Sequence, residues 1–211
     1  MEYNGVEILW DGHASLRFLD HGFTLSVDPY SEVSPDTSVD LVLLTHADEG
    51  HFDPGKLETV CGDRTVVVAP GSMKDREIPC KDIEFIEEDE TIDIYGVEIE
   101  SVPMYNEHHE RGEGLGYRFV MAGNSFYVAG DTGPVDDIRL IEDRIEVAFL
   151  PIDGEFTMDA EEAAAMAKRF RPKVVVPYHY GPPFFSDTDT GPLESALEDI
   201  EIDCVVLERQ S

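Results

Sequence analysis

The chain has 211 residues, with 46 acidic side chains against 15 basic ones and a formal net charge of −31. Hydrophobic residues make up 42%, enough to bury a sizeable core, so residues 1–211 read as one domain rather than a disordered polyanion. A surface this negative repels phosphate backbones and anionic headgroups, which argues against nucleic acid or a membrane surface as a partner.

In chain order, residues 6–10, 14–19 and 23–27 are short β-type runs, divided at Asp11-Gly12 and His21-Gly22. Residues 41–44 are wholly apolar, as a buried strand would be. Residues 54–60 can start a short helix, with Asp53 as N-cap and Pro54 at the first helical position. Further strands are expected at 65–69, 83–86, 97–102, 115–121 and 125–129, the last two joined by a turn at Ala122-Gly123-Asn124. The clearest helix spans 158–170. Thr157 can cap it, acids occupy its first turns, Lys168 and Arg169 its last, and Pro172 stops it. A strand at 174–176, a short helix at 193–200 and a strand at 204–207 complete the chain. The pattern is an α/β sandwich with sheets inside and helices outside.

Cys61, Cys80 and Cys204 are widely spaced and form no C-x-x-C, so they indicate neither a disulfide framework nor a cysteine zinc site. No basic residue precedes Arg17, and no apolar run approaches the about 20 residues of a spanning helix. A cytoplasmic protein is expected. Lysines are few (Lys56, Lys74, Lys81, Lys168, Lys173), which with the carboxylate excess suggests a salt-rich cytoplasm. At molar salt the Debye length falls to about 3 Å and self-repulsion is largely screened.

The histidines concentrate. Of seven, five lie at the ends of apolar strands beside carboxylates. The segment 41–54 (LVLLTHADEGHFDP) ends a buried strand at Thr45 and then presents His46, Asp48, His51 and Asp53. A second cluster, Tyr105 to His109, follows the strand at 97–102. A third, FYVAGDTG, delivers Asp131 between glycines, and a fourth, VVVPYHYG, delivers His179. Imidazole and carboxylate together suit zinc, iron or manganese, and loops at strand ends are where α/β proteins place their sites. A single loop histidine is more often a surface residue, as His21 is read here. Asp131 alone could be a turn residue. The aromatics Tyr178, Tyr180, Phe184 and Phe185 could wall a small-substrate pocket or be ordinary core. The run Gly112, Gly114, Gly116 precedes a strand, so it is a close-approach turn rather than a dinucleotide fingerprint.

The ordered set T-H-x-x-x-x-H, a later His before G-x-G-x-G-Y, then A-G-D-T and P-x-H-Y-G resembles the metallo-β-lactamase superfamily. Its branch of small metal-dependent hydrolases similar to ascorbate-phosphate lactonase is the nearest match, with WDGHASLRFL, YVAGDTG and LPIDGEFTMDAEEAA also typical. The resemblance implies an αβ/βα four-layer sandwich of two mixed sheets, with the metal site at one edge between them. It implies His46, His51, His109 and His179 as ligands and Asp131 as the carboxylate bridging two metals. Asp28 would buttress the loop, and His13 would orient a ligand or substrate without being a ligand. Two positions depart from the pattern. Asp48 stands for the family's second His and can replace it. Gly50 stands for an Asp that ligates the second metal and orients water, leaving that position to Asp53, Glu49 or water. One well-held metal and a weaker second one are therefore expected, with the oxygen-rich set favouring manganese or iron somewhat over zinc.

The resulting expectation is a metal-dependent hydrolase of a small ester, lactone, amide or phosphoester. A bound metal lowers the pKa of water from 15.7 to about 7, and the hydroxide attacks. Asp131 and Asp53 are the candidates to hold that water. The alternative is a degenerate, non-catalytic member that binds metal or a small ligand, which Gly50 favours. An RNA-processing nuclease is disfavoured by charge.

Overall fold

The apolar runs assemble into two seven-stranded sheets in a computed structural model that describes residues 1–135, 145–185 and 188–210. The first sheet takes its strands in chain order: β1 (Glu2–Tyr3), β2 (Val6–Gly12), β3 (Ser15–Asp20), β4 (Phe23–Val27), β5 (Val39–Leu43), β6 (Cys61–Pro70) and β7 (Asp82–Ile86). Strands β1 to β4 form an antiparallel meander, and β4 to β7 run parallel. The second sheet holds β8 (Thr91–Ile94), β9 (Val97–Met104), β10 (Gly114–Met121), β11 (Asn124–Val128), β12 (Val147–Pro151), β13 (Val174–Tyr178) and β14 (Asp203–Cys204). It repeats the plan, antiparallel from β8 to β11 and parallel from β11 to β14.

Helices fill the crossovers that parallel strands require: α1 (Pro54–Val60) after β5, α2 (Ala160–Phe170) after β12 and α3 (Gly191–Glu198) after β13. The sheets pack face to face through Phe18 of β3, whose ring centroid lies 4.9, 5.2 and 5.3 Å from those of Phe119, Phe126 and Phe149 on the other sheet. Such aromatic pairs contribute about 0.5–1.5 kcal/mol each beyond the area they bury. A smaller apolar cluster, Val42, Leu44, Val67 and Leu57 among it, lies on the α1 side of the first sheet.

Several elements differ from expectation for identifiable reasons. Helix α2 begins at Ala160, not at 158, because Asp159 rather than Thr157 caps it. The Asp159 carboxylate accepts from the Glu162 amide at 2.8 Å and the Glu162 carboxylate from the Asp159 amide at 3.1 Å. This reciprocal box outcompetes a threonine, and the Thr157 hydroxyl donates to Asp153 instead. The last strand stops at Cys204, not at 207, because the tail leaves the second sheet. Residues Trp10 and Arg209 form a bridge, and the Gln210 amide donates to the Trp10 carbonyl at 2.9 Å, so the C-terminal segment returns to the first sheet. Helix α3 starts two residues earlier than expected, with Pro192 in its first turn. Strands β1, β8 and β12 are additional. The turn between β10 and β11 is a two-residue one, with positive φ at Ala122 (50°) and Gly123 (77°), the geometry that matches strand twist. Cys61, Cys80 and Cys204 are free and partly buried. No helix among the described residues is long and apolar enough to cross a membrane.

The strand directions have one consequence for the site. Strands β2, β4 and β5 run the same way in the first sheet, as do β9, β11, β12 and β13 in the second. The histidine- and aspartate-bearing loops follow the C-terminal ends of these seven strands.

Candidate metal centre

The buried strand β5 ends against Asp28, which follows β4. One Asp28 oxygen accepts from the Thr45 amide at 2.8 Å. The other accepts from the Thr45 hydroxyl at 2.6 Å and from His51 Nδ1 at 2.8 Å. Having given its proton to Asp28, the Thr45 hydroxyl accepts from His46 Nδ1 at 2.9 Å. Both imidazoles thus carry their proton on Nδ1 and turn Nε2 inward. Across the seam, His179 Nδ1 donates to Asp153 at 2.9 Å and likewise turns Nε2 inward. His109 is placed by Asn106, whose side-chain oxygen accepts from the His108 and His109 amides at 2.6 and 2.9 Å. The Asn106 amide group donates to the Asp131 and Phe156 carbonyls at 2.8 and 2.9 Å. His13, Asp28 and His179 all adopt left-handed backbone, with φ of 49°, 43° and 59°. Such conformations cost non-glycine residues on the order of 1–3 kcal/mol and cluster at functional sites.

Asp131 joins the two sides. Its Oδ1 lies 3.1 Å from His179 Nε2 and 3.3 Å from His51 Nε2. Its Oδ2 lies 3.8 Å from His46 Nε2 and 3.9 Å from His109 Nε2. The exposed Asp48 carboxylate groups with His46 and His109, all donor atoms lying within 4.8 Å of one another. The carboxylate therefore divides the cluster into a half built on His46, Asp48 and His109 and a half built on His51 and His179.

The electrostatics are those of a site short of positive charge. Burial and the neighbouring His51 hold His46 well below the usual histidine range. Burial opposes charge on His51 too, but Asp131 and Asp28 outweigh it and raise this imidazole to about 10. The same contest, with Asp131 and Asp153, raises His179. Burial would raise the Asp131 carboxyl, yet His179 and His51 keep it well below the ordinary carboxylate range. Burial and the same two histidines keep His13 neutral. The donor set fits a divalent cation on the structure's own terms. His46 Nε2 is buried with no hydrogen-bond partner, Asp131 Oδ1 accepts no well-aligned hydrogen bond, and His51 and His179 bring two Nε2 atoms to 3.1 Å. Facing lone pairs at that distance require a proton or a cation between them.

Of the candidates read from the sequence, His46, Asp48, His51, His109, Asp131 and His179 come together here. Asp53 does not. Its carboxylate caps α1, accepting from the Lys56 amide at 3.1 Å, so the N-cap role consumes it and it lies outside the pocket lining. The structure thus shows this carboxylate as the cap of α1 and not among the grouped ligand atoms. Glu49 reaches the pocket wall but joins none of the ligand groupings. His108 is exposed and pairs with Glu107 at 3.8 Å, and His21 is exposed beside Asp20. Tyr178 and Tyr180 are core residues, whereas Phe184 and Phe185 line the pocket. That pocket holds about 330 Å³; a larger cleft of about 660 Å³ beside it shares Phe156 as a wall. Sequence reasoning misses two residues and gives a third a lesser part. Asp153 carries the signal of an acid ending an apolar run, as Asp131 does. Asn106 has no local signal. His13, to which the resemblance gives an orienting role only, groups with His51 and His179.

The comparisons with known proteins point one way. A family model described as a beta-lactamase superfamily domain matches residues 7–179. A UPF0173 metal-dependent hydrolase of Methanopyrus kandleri is 31% identical, over 96% of this chain and 97% of that protein. A protein of the same description from Nanoarchaeum equitans is also 31% identical, over 97% of each. Among solved structures, a candidate metal-dependent hydrolase from Parabacteroides distasonis superposes with a TM-score of 0.87 at 31% identity, covering 97% of this chain and 94% of that one. Igni18, a metallo hydrolase from Ignicoccus hospitalis, shares the fold with a TM-score of 0.80 at 23% identity, over 98% and 96%.

Proposed function

The chain belongs to the beta-lactamase superfamily, and from that premise we propose that it is a metal-dependent hydrolase of small, weakly charged esters or lactones, with phosphoesters as a secondary class. The observation that carries this reading is the division of ligand atoms by Asp131, with Oδ1 toward His51 and His179 and Oδ2 toward His46 and His109. Relatives that match over nearly the whole chain are described as metal-dependent hydrolases.

When bound, a divalent cation supplies Lewis acidity, producing hydroxide from water near neutral pH and drawing charge off the substrate oxygen. The protein supplies the rest. His46, Asp48 and His109 would hold one cation and His51 and His179 a second, with Asp131 shared between them. Asp28 and Asp153 accept the Nδ1 protons and so fix which nitrogen of His51 and His179 faces inward. Asp131 would also orient the attacking water, whereas the Asp53 carboxylate is engaged as the cap of α1. Phe156, Phe184 and Phe185 wall a pocket of about 330 Å³, room for a small acyl group. Asp48 and Glu49 at its exposed side disfavour polyanions. The mixed oxygen and nitrogen donors suit zinc or manganese, with iron also accommodated.

The test is a substrate panel of lactones, thioesters, carboxylic esters and phosphodiesters, assayed in high salt after metal removal and after adding back manganese or zinc. Metal-dependent turnover that falls at least about 100-fold in His109→Ala is expected. Stoichiometric metal binding without turnover of any substrate would instead establish a non-catalytic binding member of the fold.

A further inference from the structure

We infer that His13 is a ligand of the centre, completing the half built on His51 and His179 from the space that Gly50 leaves open. This rests on the metal-dependent reading above and adds a residue to it. A nitrogen of His13 lies within 4.8 Å of nitrogens of His51 and His179, and all three residues are buried. The His13 ring centroid is 4.0 Å from that of His179 and 5.4 Å from that of His51. Its Nδ1 is buried and has no hydrogen-bond partner.

Position 50 decides whether this imidazole can be there. A Cβ built on Gly50 would lie 2.7 Å from His13 Nε2 and 2.9 Å from its Cδ2, closer than non-bonded carbons approach. Gly50 also has φ of +97°, a conformation glycine adopts freely and other residues resist. The loop after β5 thus gives up a side chain, and the turn between β2 and β3 supplies one from the opposite direction.

His13 is held in place for this. Its carbonyl accepts from Trp10 Nε1 at 2.9 Å and from the His179 amide at 3.0 Å, which docks the β2–β3 turn onto the end of β13. The Phe184 ring, with its centroid 4.4 Å away, backs the imidazole on the pocket side. The second half then offers three imidazoles and the Asp131 carboxylate, four donors of the kind zinc takes. The first half offers two imidazoles and two carboxylates, a harder set. His13 and Gly50 exchange roles that a single loop side chain could otherwise fill.

The experiment is zinc titration of the metal-free full-length protein, with metal per chain counted after equilibrium dialysis. Wild type is expected to take two zinc ions. His13→Ala should retain the first and bind the second at least about 100-fold more weakly, the upper end of what losing even a supporting contact costs. Gly50→Ala should lose the second ion in the same way by displacing the ring, and the double variant should lose no more than either single one. The retained first ion reports an intact fold. A zinc-loaded crystal of wild type, located by anomalous scattering, provides a check independent of the variants. A His13 ring nitrogen about 2.0–2.1 Å from zinc is expected. Two ions held with unchanged affinity in His13→Ala, or a His13 ring turned away from the zinc, overturns the assignment and leaves the hydrolase reading standing. A wild type holding one ion does the same. A wild type holding none overturns both.

Discussion

The Asp28 carboxylate and the His51 imidazole meet at 2.8 Å, both almost wholly buried, and the same carboxylate also holds the Thr45 amide and hydroxyl. One acid therefore sets the ring orientation of His51 directly and that of His46 through Thr45. Asp28→Asn keeps the shape but replaces an acceptor oxygen with a donor, which confronts either the Thr45 or the His51 proton. Metal affinity is expected to fall about 10–100-fold, read by competition with a chromogenic chelator. Unchanged affinity would show that Asp28 has no part in orienting the ligands.

Metal uptake should depend on pH with a definite sign. In the metal-free protein Asp131 and Asp28 raise His51 to about 10, and Asp131 and Asp153 raise His179, so a cation competes with protons at this pair. Affinity should climb as pH rises from about 6 to 9, with proton release visible as a dependence of calorimetric heat on buffer ionisation enthalpy. Stability of the metal-free protein runs the other way. A raised histidine stabilises fully below its unfolded pKa of about 6.5, and that contribution is lost as pH rises toward 10. Affinity independent of pH would contradict protonated ligands.

The Asn106 side chain makes four hydrogen bonds, two from amides of its own loop after β9 and one each to the Asp131 and Phe156 carbonyls. Asn106→Ala leaves partly buried backbone groups unpaired, at about 1–3 kcal/mol each where water cannot replace the lost partner. The half of the centre containing His109 should weaken more than the half containing His51. Two metal dissociation constants measured on the variant decide this, and equal weakening of both would refute it.

Asp53→Ala should lower stability by about 1 kcal/mol through loss of the α1 cap while leaving turnover with saturating metal unchanged. Chemical denaturation and the hydrolase assay read the two effects separately. A fall of 100-fold or more in turnover would restore Asp53 to the catalytic set.

The net charge of −31 predicts a salt requirement. In dilute buffer the carboxylates repel one another, and at molar salt the Debye length of about 3 Å removes most of that repulsion. The unfolding temperature should rise steadily as potassium chloride is raised toward molar concentration. A flat profile would mean the acidity serves something other than tolerance of salt.

Much of this architecture is legible in the sequence, because the buried parallel strands β5 and β13 carry the apolar runs 41–44 and 174–176 and the loops after them carry histidines. Asp53 reads two ways, as the cap that its Asp-Pro pair indicates and as an acid close to His51 in an acid-rich loop, and the structure shows the first. Asp153 is hidden for the opposite reason: its loop holds no histidine, and its partner His179 lies on the next strand. His13 depends wholly on tertiary docking of the β2–β3 turn, and Asn106 acts through backbone groups that a sequence pattern does not display. The shared plan of the two sheets is also invisible, since topology can repeat without any residue repeating.

The ligand-bearing loops come from both sheets, His13, His46 and His51 from one, His109, Asp131 and His179 from the other. A cation seated among them would act as a rivet through the sandwich, fastening two layers that elsewhere adhere mainly by apolar contact, with a few hydrogen bonds such as that from the Tyr117 hydroxyl to the Leu44 carbonyl. Parting of the sheets at that edge would then require release of the ion. Resistance to unfolding becomes a function of free metal concentration, growing with the logarithm of its ratio to the dissociation constant.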